Sequence, residues 1–121
     1  MSKKLALFLT LSGCAAISNP STPPVAPVDA AIAVKVDLSM AVENAGVDEA
    51  VAQQSWARAY DMFELQIEPE IRQQCGRRRA AEIEYAFGTV RASLQEQADT
   101  QRAVEQLQVA IDSCMKKMTR L

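Results

Sequence analysis

Six oxygen-bearing side chains in the middle of this chain are spaced so that they could act together: Tyr60, Asp61, Glu64, Glu68 and Glu70, with Glu84 further along. Tyr60, Glu64 and Glu68 recur every four residues, which sets them on one stripe of a helix. Carboxylates with a phenol make a hard oxygen donor set suited to iron(III) or a divalent cation. The same spacing also suits a plainer arrangement, in which Glu64 and Glu68 form a solvated edge that pairs with Arg72. Composition excludes much else. The chain has no histidine, which removes His-dependent triads, zinc hydrolase sites and histidine-ligated haem. It has no CxxC pair, phosphate loop or dinucleotide fingerprint either. The residues read as non-enzymatic.

Three cysteines remain: Cys14, Cys75 and Cys114. Cys14 follows Lys3 and Lys4, the apolar run Leu5 to Leu11, and then Ser12 and Gly13. Positive charge, an apolar stretch and small residues at a cleavage point form the order of a secretory signal. Seven apolar residues are too few to cross a bilayer, which takes about 20. Leu11-Ser12-Gly13-Cys14 resembles the lipobox of bacterial lipoproteins. That resemblance implies a signal peptide over residues 1–13 and a Cys14 thiol carrying diacylglycerol. It also implies a new amino group acylated by a chain such as palmitate. Two or more chains hold a protein stably on a membrane. Ala15 and Ala16 follow the cysteine, where inner-membrane lipoproteins typically carry aspartate. The expected location is the cell envelope, at the periplasmic face of the outer membrane.

Residues 14–28 hold the lipid-bearing cysteine and four of the five prolines, Pro20, Pro23, Pro24 and Pro27. Such a stretch is extended at about 3.1 Å per residue and reaches roughly 40 Å. A proline-rich recognition peptide is the alternative, but no basic residue flanks it. A tether is the better reading. Residues 29–121 then form one small helical domain. Setting Lys3 and Lys4 aside, 11 basic residues face 15 acidic ones, an acidity that disfavours nucleic acid as a partner. Arg77-Arg78-Arg79 reads as a solvated loop or helix start.

The elements that must position the oxygen cluster are all helices. Ala31, Val34, Leu38, Ala41 and Ala45 step by three and four, and Gly46 stands where a helix C-terminus favours glycine. Asp48 can cap a second helix, whose stripe is Trp56, Tyr60, Phe63 and Ile67, extended by Ile71 and Cys75. Pro69 interrupts it and predicts a kink or break. A third helix runs from about Arg79 to Gln97, with Ile83, Phe87, Val90 and Leu94 inward. The last carries Val104, Leu107, Ile111, Cys114, Met118 and Leu121. Short connections between four helices predict an all-α antiparallel bundle, with every helix keeping a polar face.

In such a bundle the start of the third helix lies beside the end of the fourth. Cys75 just precedes the one and Cys114 sits inward near the end of the other, so a Cys75–Cys114 disulfide is expected. It would close a loop of about 40 residues and stabilise the fold by roughly 4 kcal/mol in the chain-entropy model. Two buried free thiols are the alternative.

Trp56-Ala-Arg-Ala-Tyr60-Asp-Met-Phe63-Glu64-Leu-Gln-Ile67-Glu68-Pro69-Glu70-Ile71-Arg72 and Ile83-Glu84-Tyr-Ala-Phe87-Gly88-Thr-Val90-Arg91 carry a further likeness. Residues 56–91 resemble the periplasmic helical domain of bacterial iron-permease proteins and related iron-uptake lipoproteins. The permease's membrane helices and the histidine metal motif of imelysin-like relatives are missing. The resemblance implies a free-standing accessory domain, with Tyr60, Glu64, Glu68 and Glu84 as candidate metal ligands and iron as the cargo.

Two functions are therefore expected. The first is a lipid-anchored, non-enzymatic interaction or structural module that binds an envelope protein or another copy of itself. The second is an accessory periplasmic iron-binding protein in iron uptake. A small lysis or surface-exclusion lipoprotein also fits the chain's size, but no residue argues for it.

Overall fold

A computed structural model of the protein describes residues 26–119. Cys14, the signal segment, most of the tether and Leu121 lie outside the described residues. Four helical rods run alternately up and down: α1 (Pro27–Asn44), then a second rod built from α2 (Glu49–Met62), a π-helical turn (Phe63–Ile67) and α3 (Glu68–Cys75), then α4 (Arg77–Glu96) and α5 (Thr100–Thr119). This is the small all-α bundle the periodicity predicts. Among the described residues no helix is long and apolar enough to cross a membrane.

The ends of the rods follow local chemistry. Gly46 takes φ +78°, a conformation that other residues enter only with strain. Asp48 then caps α2, accepting a hydrogen bond from the Val51 N–H at 3.2 Å. Asp99 does the same for α5, with Arg102 N–H as donor at 3.0 Å. The corner between α3 and α4 is a single residue, Gly76, at φ +96° and ψ 159°, backbone space that belongs essentially to glycine. Because one residue makes the turn, α4 starts at Arg77 rather than near Arg79. The three arginines occupy its first turn. Positive charge there opposes the helix dipole.

Around Pro69 the rod departs from regular α-helix, as expected, and does so through a π-helical turn. Pro69 has no N–H to return to the preceding turn, and the chain absorbs the loss one turn earlier. Phe63–Ile67 winds as a π-helix, and Glu68 N–H donates to Phe63 O, five residues back. Pro69 then falls in the first turn of α3, where a missing N–H costs nothing.

The inward stripes meet around Phe63 and Phe87, the largest fully buried side chains, with ring centroids 4.9 Å apart. Val34, Leu38, Ile67, Ile71, Ile83, Val90, Leu94, Leu107 and Ile111 fill the space about them. Some expected core positions shift. On α1 the fully buried alanine is Ala30 rather than Ala31, and Ala45 lies beyond the helix end. Trp56 and Tyr60 pack on the core half-buried. Trp56 stacks on Tyr60 at 5.2 Å and donates its indole N–H to Phe87 O at 3.0 Å. Cys75 and Cys114 are joined as a disulfide, their Cα atoms 6.2 Å apart and 39 residues apart in sequence.

Two outcomes test this packing. Phe87→Ala is expected to cost about 3–5 kcal/mol in urea unfolding. A Cys75→Ala/Cys114→Ala chain is expected to lose up to about 4 kcal/mol, and wild-type protein under reducing conditions should match it.

Candidate functional site

The π-turn rearranges the oxygen cluster. Tyr60 and Glu64 meet, with the phenol in hydrogen-bond contact with Glu64. Glu68, one turn later and beyond the π-turn, accepts a hydrogen bond from Arg72 Nη1 at 3.2 Å and stays close enough to Glu84 to act on it. Glu84 reaches across from α4 and is in hydrogen-bond contact with Glu64. Asp61 is exposed and Glu70 is partly exposed, and neither is brought into this contact. The arrangement is thus a Tyr60–Glu64–Glu84 relay between α2 and α4, with the Glu68–Arg72 pair at its edge.

The relay's electrostatics centre on Glu64. Its Oε2 is buried and has no donor on it, so Glu64 is not the solvated edge that the spacing allowed. Two carboxyl groups make a hydrogen bond only when a proton sits between them. Accordingly, the Glu84 carboxyl is pushed up to about 7, chiefly by the hydrogen bond with Glu64, then by burial and by repulsion from Glu64 and Glu68. Arg72 opposes the shift. Tyr60 is also raised, by burial first and then by its bond to Glu64. Oxygen donors of this kind suit a hard cation in type. In number they fall short: among the described residues no three His, Cys, Asp or Glu side chains are grouped to hold a metal ion.

A second feature was not read from the sequence. α1 carries apolar side chains on its outer side as well as in the core, interleaved there with Asp29, Ser39 and Glu43. Ala30, Val34, Leu38 and Ala41 point into the core, while Val28, Ile32, Val36 and Met40 stand on the reverse at 48%, 57%, 56% and 37% exposure. Those four are spaced by four, which makes them one continuous ridge of the kind that packs into the groove of another helix. α1 still keeps polar side chains in water, Asp29, Lys35, Ser39 and Glu43 among them. Beside the ridge, Lys35 reaches Asp112 of α5 at 3.7 Å. Sequence spacing carries the signal for this ridge, since both stripes step by three or four, two residues out of phase.

No protein-family model matches this chain, and no curated protein or solved structure is significantly similar to it.

The relay makes stability depend on pH. Glu84 holds its proton more tightly when folded than its ordinary value of 4.5. Its contribution is thus fully present below about 4.5 and is lost as pH rises through about 7. Urea unfolding should show the wild type less stable at pH 8 than at pH 5, and Glu84→Gln should flatten that difference.

Proposed function

We propose that the protein is a lipid-anchored lipoprotein of the cell envelope whose helical domain is a non-enzymatic interaction module. The observation that carries this reading is the exposed Val28, Ile32, Val36 and Met40 ridge. A helix already buried on one face gains nothing for its own fold from a second apolar face in water. Contiguous exposed apolar surface of this kind marks a site of association. The Cys75–Cys114 disulfide supports the location, because such bonds persist in oxidising compartments such as the periplasm. The Leu11-Ser12-Gly13-Cys14 likeness to a lipobox supports the anchor at Cys14, and the residues after it favour the outer membrane.

The ridge makes the module testable in place. A photo-crosslinking residue at Ile32 or Val36, activated in intact envelopes, should give one discrete adduct. The same residue at exposed Gln95 on α4 should not. Adducts of equal yield from both faces would refute the reading.

A second reading, an accessory iron-binding protein in iron uptake, is favoured by one observation: the buried Glu64 Oε2 without a donor, beside Glu84 and Tyr60. A cation bound there would replace the shared proton. The likeness of residues 56–91 to iron-uptake domains supports it, and the small number of converging carboxylates weighs against it. Calorimetric titration with iron(II) and iron(III) decides. Stoichiometric binding that is lost in Glu64→Gln/Glu84→Gln supports this reading, and no heat of binding rejects it.

A further inference from the structure

The alternating rods bring four chain ends to the same end of the bundle: the start of α1, the end of α3, the start of α4 and the end of α5. Arg77, Arg78 and Arg79 open α4 there, and Lys116 and Lys117 lie in the last turns of α5. Each run begins two residues after a half-cystine, so the Cys75–Cys114 bridge holds the two runs side by side. The first turns of α1 join them, for Val28, Ala31 and Ile32 share a surface groove with Met115 and Lys116. Four of the five cations are exposed, and the fifth, Arg79, keeps 41% of its side chain in water.

Among the described residues at this end, cations outnumber acids. Glu82 pairs with Arg79 and Asp112 pairs with Lys35. Asp29 lies in the first turn of α1. With Lys35 included, six cations stand against these three acids. Farther in, Arg72 is engaged with Glu68, and Glu70 lies in the first turn of α3. The opposite end has the reverse sign, with Glu43, Asp48, Glu49, Glu96 and Asp99 beside Arg102.

The placement of the arginines works against the fold. Three cations in the first turn of α4 oppose its dipole, and the disulfide brings a second basic run to the same end. A negatively charged surface outside the domain relieves both conflicts. The chain enters α1 at Pro27, 13 residues after Cys14, so an anchored domain is tethered from this end. Thirteen residues reach at most roughly 40 Å.

We infer that Arg77, Arg78, Arg79, Lys116 and Lys117 form a basic plate that seats the domain on anionic phospholipid head groups, with its acidic end facing away from the membrane. This inference rests on the lipid-anchored reading. Each Lys or Arg held near an anionic bilayer strengthens binding by about fivefold, and salt weakens it.

The test uses full-length chain carrying Cys14→Ser, which removes the acylation site, and vesicles of phosphatidylglycerol with phosphatidylcholine or of phosphatidylcholine alone. Co-sedimentation with the anionic vesicles should exceed that with the neutral ones at low salt and fall at 0.5 M salt. Adding Arg77→Gln, Arg78→Gln, Lys116→Gln and Lys117→Gln should weaken anionic binding by 100-fold or more. Glu96→Gln/Asp99→Asn, at the far end, should leave it intact. Helical circular dichroism and unfolding curves establish that each variant folds. Equal binding to both vesicles, or anionic binding unchanged by the four substitutions, overturns the inference, because Lys3 and Lys4 would then carry any attraction. Tighter capture by duplex nucleic acid than by the anionic vesicles overturns it in favour of a different polyanion. Detergent-phase partition of the wild-type chain reports the anchor separately. A wild-type chain that stays in the aqueous phase removes the anchored reading, whatever the vesicles show.

Discussion

The Cys75–Cys114 bridge and the glycine beside it set the geometry on which the rest depends. Gly76 reverses the chain in a single residue, which no other side chain does without strain. The disulfide fastens that corner to the end of α5 across 39 residues of sequence. α4 is thereby held antiparallel to its neighbours, so Phe87 reaches Phe63 and Glu84 reaches Glu64. A chain of this size has a modest core, and a covalent link between its last and middle helices supplements that core. The same link ties stability to compartment, since a reducing environment would remove it.

Within that frame the π-turn decides what the acidic residues do. In an unbroken α-helix Tyr60, Glu64 and Glu68 would line one stripe. The extra residue taken up at Phe63–Ile67 offsets Glu68 from that stripe, and Glu68 meets Arg72 while staying close to Glu84. Glu64 is left with a buried oxygen, a phenol and a carboxyl from α4. The proline that restarts the helix thus sits one turn beyond a contact between Glu64 and Glu84 that pushes the Glu84 carboxyl up to about 7. π-helical turns occur often at functional sites, and here the turn lies next to the stacked Trp56 and Tyr60.

The inward faces of the helices after α1 were legible, because a three-and-four spacing of large apolar residues has a unique side there. Phe63, Ile67, Ile83, Phe87, Val90, Leu107 and Ile111 all face the core as their spacing required. The cysteine pairing was legible too, since antiparallel order alone brings those positions together. α1 was read less well. With apolar residues on both faces, periodicity does not say which stripe is buried, and only packing against α2 decides it. The site was partly legible. Tyr60, Glu64, Glu68 and Glu84 were the candidates, and they lie near one another, but the spacing did not show the Arg72 bond and the Glu64–Glu84 contact side by side. Spacing holds no sign of a π-turn except the proline that follows it. Arg77 to Arg79 read as an ordinary helix start. Their meaning comes from the third dimension, where a run 39 residues away joins them.

The proposed lipoprotein is a disulfide-closed bundle that hangs from a lipid at Cys14 outside the reducing cytoplasm. Its intact mass, taken under non-reducing conditions after extraction from native membranes, is the measurement to make. The expected chain begins at Cys14, carries acyl groups and is two hydrogens lighter than the dithiol form. A chain that begins at Met1, bears no lipid and has Cys75 and Cys114 as free thiols would contradict it.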